Sequence, residues 1–199
     1  MKKLFVLAFT LIVCYENSFS QETTYPKGGY MNLKELLNKQ PSIPFVFQIE
    51  KRTKGDIRMT GGNDYKVHSE VDSISKKKIK NEIYAISTGD TLFLNCYPLG
   101  YQTWYTQALS TGKYIAFKAG YSTAEGREAN MGGPFAGASA ATERFLYLLD
   151  TTSGKVVIYD QEKFSEFLDE YPDLKSQFRN ETYMGTSTLI KYIKLINAR

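Results

Sequence analysis

A set of short turns limits this chain's fold more than any other feature. Thr88-Gly89-Asp90 separates residues 79–87 from 91–97, Thr111-Gly112 precedes 113–119, and Thr151-Thr152-Ser153-Gly154 separates 145–150 from 155–159. Glycine supplies the positive φ that tight turns need, while Asp, Ser and Thr bond their own backbone there. Connections this short join antiparallel neighbours, because a parallel crossover needs a dozen residues or more. The middle of the chain is therefore expected to form a mainly antiparallel sheet of about seven or eight strands, open or closed into a small barrel.

Side-chain alternation fills in the strands. Phe45, Phe47 and Ile49 alternate with Val46, Gln48 and Glu50, and Tyr114, Ala116 and Lys118 oppose Ile115 and Phe117. Lys54-Gly55-Asp56 reads as a turn, residues 57–60 as a returning strand, and Gly61-Gly62-Asn63-Asp64 as a further turn before 65–71. Residues 79–87 read as a strand buried on both sides. The cluster Lys76, Lys77, Lys78 and Lys80 reads as a solvated turn or edge strand, where lysine deters edge-to-edge pairing. Residues 101–109 show no clean period.

Helical signals gather at the two ends. Asn32 and Glu35 form a capping-box pattern ahead of Leu36 and Leu37, with Pro41 and Pro44 beyond. Asp160 is a cap flanked by a Tyr159/Phe164 staple, Pro172 opens a second helix, and Gly185-Thr186-Ser187 leads into a terminal one carrying Leu189, Ile190, Ile193 and Ile196. The expected class is α+β, with a short N-terminal helix and C-terminal helices around the sheet.

The first residues concern destination rather than fold. Lys2 and Lys3 precede the apolar run 4–13, and small residues at Ser18 and Ser20 suit signal peptidase cleavage before Gln21. Such a run is too short to span a bilayer about 30 Å thick. Residues 1–20 are read as a signal peptide, 21–43 as a lead-in with a short helix, and 44–199 as a single globular domain. The expected destination is the periplasm or the extracellular space, with no transmembrane span after cleavage. The alternative is a lipid anchor on Cys14, against which bulky Val13 speaks. Cleavage would leave Cys96 as the only thiol, so no internal disulfide is expected.

Charge and reactive groups exclude more than they suggest. Without Lys2, Lys3 and Glu16, the 25 basic and 21 acidic residues become 23 and 20, too even for nucleic-acid binding. His68 is the single histidine, and no zinc-type spacing surrounds it. Cys96 lies in a strand-like run without a basic neighbour. Glu166, Asp169 and Glu170 read as a solvated helix face, whereas Glu125 and Glu128 sit in a Gly/Ala-rich stretch, 121–141. That stretch reads as a surface loop, a helix packed closely on the sheet, or an element packed in or against a membrane, though too short for a helical span. Gly132-Gly133-Pro134 lacks the Lys-Ser/Thr of a phosphate loop. No cofactor, metal or catalytic residue is assigned.

Three patches together carry a resemblance: Lys27-Gly-Gly-Tyr-Met-Asn-Leu-Lys-Glu-Leu with Pro41-Ser42, Arg144-Phe-Leu-Tyr-Leu-Leu-Asp-Thr-Thr-Ser-Gly-Lys-Val, and Lys191-Tyr-Ile-Lys-Leu-Ile-Asn. The chain resembles a family of uncharacterised secreted proteins of Bacteroidota. The resemblance implies export and a shared fold, and brings no activity and no functional residues.

The leading expectation is a non-enzymatic binding or interaction module of the cell envelope. Its 15 tyrosines, 12 phenylalanines and single tryptophan suit aromatic recognition as well as half-buried strands. The candidate binding residues are Tyr97, Tyr101, Trp104 and Tyr105, and the candidate partners a glycan, a lipid or an envelope protein. The alternatives are a hydrolase using paired carboxylates on envelope polymers and a structural envelope subunit.

Overall fold

A computed structural model describes residues 24–120 and 141–199. The described residues form nine strands: β1 (Gly28–Tyr30), β2 (Phe47–Lys51), β3 (Tyr65–Ser69), β4 (Ala85–Ser87), β5 (Leu92–Asn95), β6 (Tyr105–Ser110), β7 (Tyr114–Ala119), β8 (Phe145–Asp150) and β9 (Val156–Tyr159). Among the described residues, six α-helices accompany them: α1 (Leu33–Leu37), α2 (Lys54–Thr60), α3 (Lys76–Asn81), α4 (Gln161–Phe167), α5 (Pro172–Arg179) and α6 (Thr186–Asn197). A 3-10 turn, Leu168–Glu170, joins α4 to α5.

All strand pairings among the described residues are antiparallel. The main path runs β1-β4-β5-β6-β7-β8-β9, and the β2–β3 pair joins it where Tyr65 meets Tyr105. The sheet is open, which decides between the two closures left by the sequence. The hairpins β4–β5, β6–β7 and β8–β9 sit on the three turns that anchor the sequence reading.

Strands β7 and β8 are covered on both faces, and period-2 alternation explains how. Ile115, Phe117, Tyr147 and Leu149 point to a core shared with Tyr30, Leu94 and Leu36 of α1. Tyr114, Ala116, Leu146 and Leu148 point the other way, onto Phe164, Leu168, Phe178 and Ile193 of the C-terminal helices. A third core packs Ile79 and Ile83 against Phe47, Val67, Phe93 and Tyr105. Each such side chain stabilises by about 1.5–3 kcal/mol.

Local chemistry fixes the helices. Asn32 accepts from the Glu35 N–H at 2.9 Å, while the Glu35 carboxylate accepts from the Met31 N–H at 2.8 Å, so α1 carries a reciprocal cap. Asp160 accepts from the Lys163 N–H at 2.9 Å, and Tyr159 meets Phe164 with ring centroids 5.9 Å apart. Cap and staple together set the entry of α4.

Two segments depart from the sequence reading. Residues 54–60 form α2, not a turn and strand. Thr53 caps it by accepting from the Asp56 N–H, Gly61 ends it at φ +66°, and Ile57 is its one buried residue. The lysine cluster belongs to helix α3, not a turn or edge strand, so the strand read over 79–87 shrinks to Ala85–Ser87. Ser75 caps its start and Ile79 is buried. Carbonyls in its last turn and just beyond it are met from the sheet. Asn95 Nδ2 donates to Lys80 O at 3.1 Å and Ile83 O at 2.8 Å, and the Tyr105 hydroxyl donates to Ile79 O at 2.7 Å. One inward isoleucine gives no helical period, and the partners lie far along the chain. The Gly/Ala-rich stretch, apart from Ala141, lies outside the described residues, as do Glu125 and Glu128 and the signal-peptide segment.

Candidate functional site

Trp104 stands just before β6, and its support begins at Arg52. The Arg52 side chain is fully buried, and a buried guanidinium must have its donors met. Nε donates to Asp56 Oδ2 at 2.8 Å, and Nη1 donates to Gly61 O at 2.7 Å and Asn63 O at 2.9 Å. Asn63, also fully buried, donates through Nδ2 to Gln102 O at 2.8 Å and through its backbone N–H to Thr103 O at 2.8 Å. Its Oδ1 accepts from the Gly120 N–H at 2.9 Å. Gly62 N–H donates to Gln102 Oε1 at 3.1 Å. Loop 61–64 is thereby laced to residues 102 and 103.

The residue after that lacing is Trp104, at φ +77°. A bulky residue pays about 1–3 kcal/mol for this left-handed backbone and keeps it only where its surroundings fix it. The indole lies on Gly62, where an added Cβ would come within 2.7 Å of Cδ1. Lys80 Nζ lies 5.5 Å and Lys66 Nζ 5.8 Å from the ring centroid, within cation–π range. Trp104 itself is half-buried. The result is a fixed indole flanked by two ammonium groups at the surface.

The four aromatic candidates fall into two pairs. Tyr105 is fully buried and serves the end of α3, and burial pushes its hydroxyl far up in pKa. Tyr101 is core as well, with its ring 4.5 Å from that of Tyr147 and 6.4 Å from that of Phe117. Neither offers a face to a ligand. Tyr97 is 46% exposed. It and Trp104 leave the two ends of the β5–β6 connection, which is pinched by Cys96 N–H donating to Trp104 O at 3.0 Å. Lys66 and Lys80 carried no signal in the sequence as partners of Trp104, because they come from separate elements. The sequence showed Asn63 only as part of a turn.

Cys96 is fully buried, and burial pushes its thiol well above the ordinary range. His68 lies on β3 with Nε2 3.6 Å from the Glu50 carboxylate. Among the described residues, no group of three or more His, Cys, Asp or Glu could hold a metal ion. Arg144 donates through Nε to Asp64 Oδ1 at 2.8 Å and through Nη2 to Gly62 O at 3.2 Å, bracing the loop that supports the indole. Among the described residues, no helix is long and apolar enough to cross a membrane.

No curated protein and no solved structure matches the chain. One family does, over residues 28–199, from the first strand to the end of the chain. The chain belongs to that family, described as a family of unknown function (DUF6563).

Proposed function

We propose that this chain is an exported, non-enzymatic binding module that engages an anionic partner of the cell envelope through Trp104, Lys66 and Lys80. The observation that carries the reading is the left-handed backbone of Trp104, held by loop 61–64 with the ring at the surface. An aromatic side chain fixed before binding loses little entropy on contact. The two ammonium groups beside it favour a partner with negative charge, such as an acidic glycan or an anionic lipid headgroup. Export rests on residues 1–20 and on the likeness to secreted Bacteroidota proteins.

The single tryptophan reports on its own site. Titrating the mature protein with acidic polysaccharides and with vesicles containing phosphatidylglycerol is expected to shift its emission. The K66A/K80A double variant should weaken that response about tenfold or more, and added salt should weaken it too. A flat titration with both ligand types would reject the reading. The mass of the mature protein tests export: a chain starting at Gln21 supports it, and a lipid adduct on Cys14 replaces the soluble form with an anchored one.

A further inference from the structure

Among the described residues the sheet ends at β1, β2 and β9, and the three ends are not alike. The outer side of β1 is taken by Ile43, which exchanges backbone hydrogen bonds with Gly29 at 2.8 and 3.1 Å. Strand β2 carries Glu50 and Lys51, charges of the kind that keep edge strands from pairing. Strand β9 differs from both. Val156-Val157-Ile158-Tyr159 holds no charge and no proline, and among the described residues no strand pairs with its outer side.

Register fixes which backbone groups face out. Asp150 N–H donates to Lys155 O at 2.9 Å, continuing the β8–β9 register, so Lys155 is turned to β8. Alternation turns Val157 and Tyr159 to β8 as well and leaves the N–H and C=O of Val156 and Ile158 pointing outward. Those two residues are half-buried, with their branched side chains against the core of Ile115 and Tyr147. Their neighbours are committed elsewhere. Gly154 N–H donates to Asp150 O at 2.8 Å, and Asp160 O accepts from the Phe164 N–H at 3.1 Å. On the opposite face, Lys155 and Glu170 are exposed and line one cavity with Val157 and Tyr159. Neither forms an ion pair among the described residues.

We propose that β9 is the dimerisation strand of this chain: a second copy pairs antiparallel with it about a two-fold axis at Val157 and extends the sheet across both molecules. The occupant follows from the symmetry of the edge. A two-fold axis normal to the sheet keeps every side chain on its own face, so it must pass through a residue of the strand. Centred on Val156, the pairing would need the Gly154 N–H. Centred on Ile158, it would need the Asp160 carbonyl. Both are taken. Centred on Val157, it sets Val156 opposite Ile158 of the second copy, and the reverse. Every outward donor then meets an outward acceptor, and none is left over. The same register sets Lys155 opposite Tyr159 of the second copy, beside that copy's Glu170. Each unpaired ammonium thus gains a ring and a carboxylate, and symmetry makes the gain twice. A peptide from another protein would have to bring this pattern, whereas the edge supplies it to itself. The paired stretch is short, which puts the dimer among small, transient interfaces with Kd on the order of micromolar.

Sedimentation equilibrium of the purified protein at rising concentration is expected to show a monomer–dimer equilibrium. K155E and E170K should each weaken it about tenfold or more, because like charges then meet twice. Mixed together, the two variants should pair with close to wild-type affinity, because both opposite-charge contacts return, and that recovery also shows that both variants fold. V157C should cross-link to its own copy under mild oxidation, since residues facing each other at a non-hydrogen-bonded position lie about 4.5 Å apart at Cα. Buried Cys96 should stay reduced. A monomer at every concentration, which is the result if the edge serves a peptide or another protein, would overturn the inference. So would dimerisation that K155E leaves unchanged, or a mixture of the two variants that does not recover.

Discussion

Gly62 and Asn63 are small parts with large consequences. A Cβ at Gly62 would sit 2.7 Å from the Trp104 ring and 2.8 Å from Thr103 O, at φ +86°. Gly62→Ala is expected to cost about 1–3 kcal/mol and to shift Trp104 emission toward a solvent-exposed indole. Asn63→Ala leaves the Gly120 N–H and Gln102 O without their partner, at about 2–4 kcal/mol in a urea melt, since each buried orphan costs about 1–3 kcal/mol. Asp56 sets a pH dependence. The Arg52 guanidinium holds its carboxyl below the ordinary 3.8. A carboxylate lowered on folding stabilises fully above its unfolded value and loses that contribution as pH falls through the folded one. Asp173 beside Arg199 and Glu181 beside Lys191 act in the same direction. Stability should therefore be level from about pH 5 to 7 and fall below about pH 4, and D56N should flatten part of that slope. A slope unchanged in D56N would show that Arg52 draws its compensation from the backbone carbonyls alone.

At the scale of elements, the readable parts were those whose instructions are local. The three hairpins carry their turns in the sequence, and α4 carries its cap, staple and apolar face within nine residues of chain, Tyr159 to Phe167. Helices α2 and α3 do not. Each buries one isoleucine, and each has its end held by a side chain from outside, Arg52 on Gly61 O just past α2 and Asn95 with Tyr105 on Lys80 O and Ile79 O of α3. That dependence is measurable. Tyr105→Phe is expected to cost about 1–2 kcal/mol and to speed amide exchange in α3 more than in β7 or β8. At the other end, Asn197 pins α6 to the β6–β7 turn. It donates to Ser110 Oγ at 3.0 Å and Tyr114 O at 2.8 Å, and accepts from the Tyr114 N–H at 2.9 Å. Gly112, at φ +148°, would place a Cβ 2.6 Å from the Asn197 amide carbon. Gly112→Ala and Asn197→Ala should each lower the melting midpoint, and their effects should not add, because both act on the same contact.

For the molecule as a whole, the class and sheet direction were legible because the turns and the alternation are repeated along the chain. The candidate surface was legible only in part. A lone tryptophan draws attention to itself, yet the aperiodic run 101–109 gave no means of telling Trp104 from its core neighbours Tyr101 and Tyr105. One consequence of the Trp104 support reaches beyond that site. Gly120 is bonded to Asn63, and Arg144 to Asp64 and Gly62, so residues beside the end of β7 and the start of β8 are both held by one four-residue loop. Slackening that loop should therefore reach both strands at once: Gly62→Ala is expected to speed amide exchange at Gly120 and at Phe145 alike.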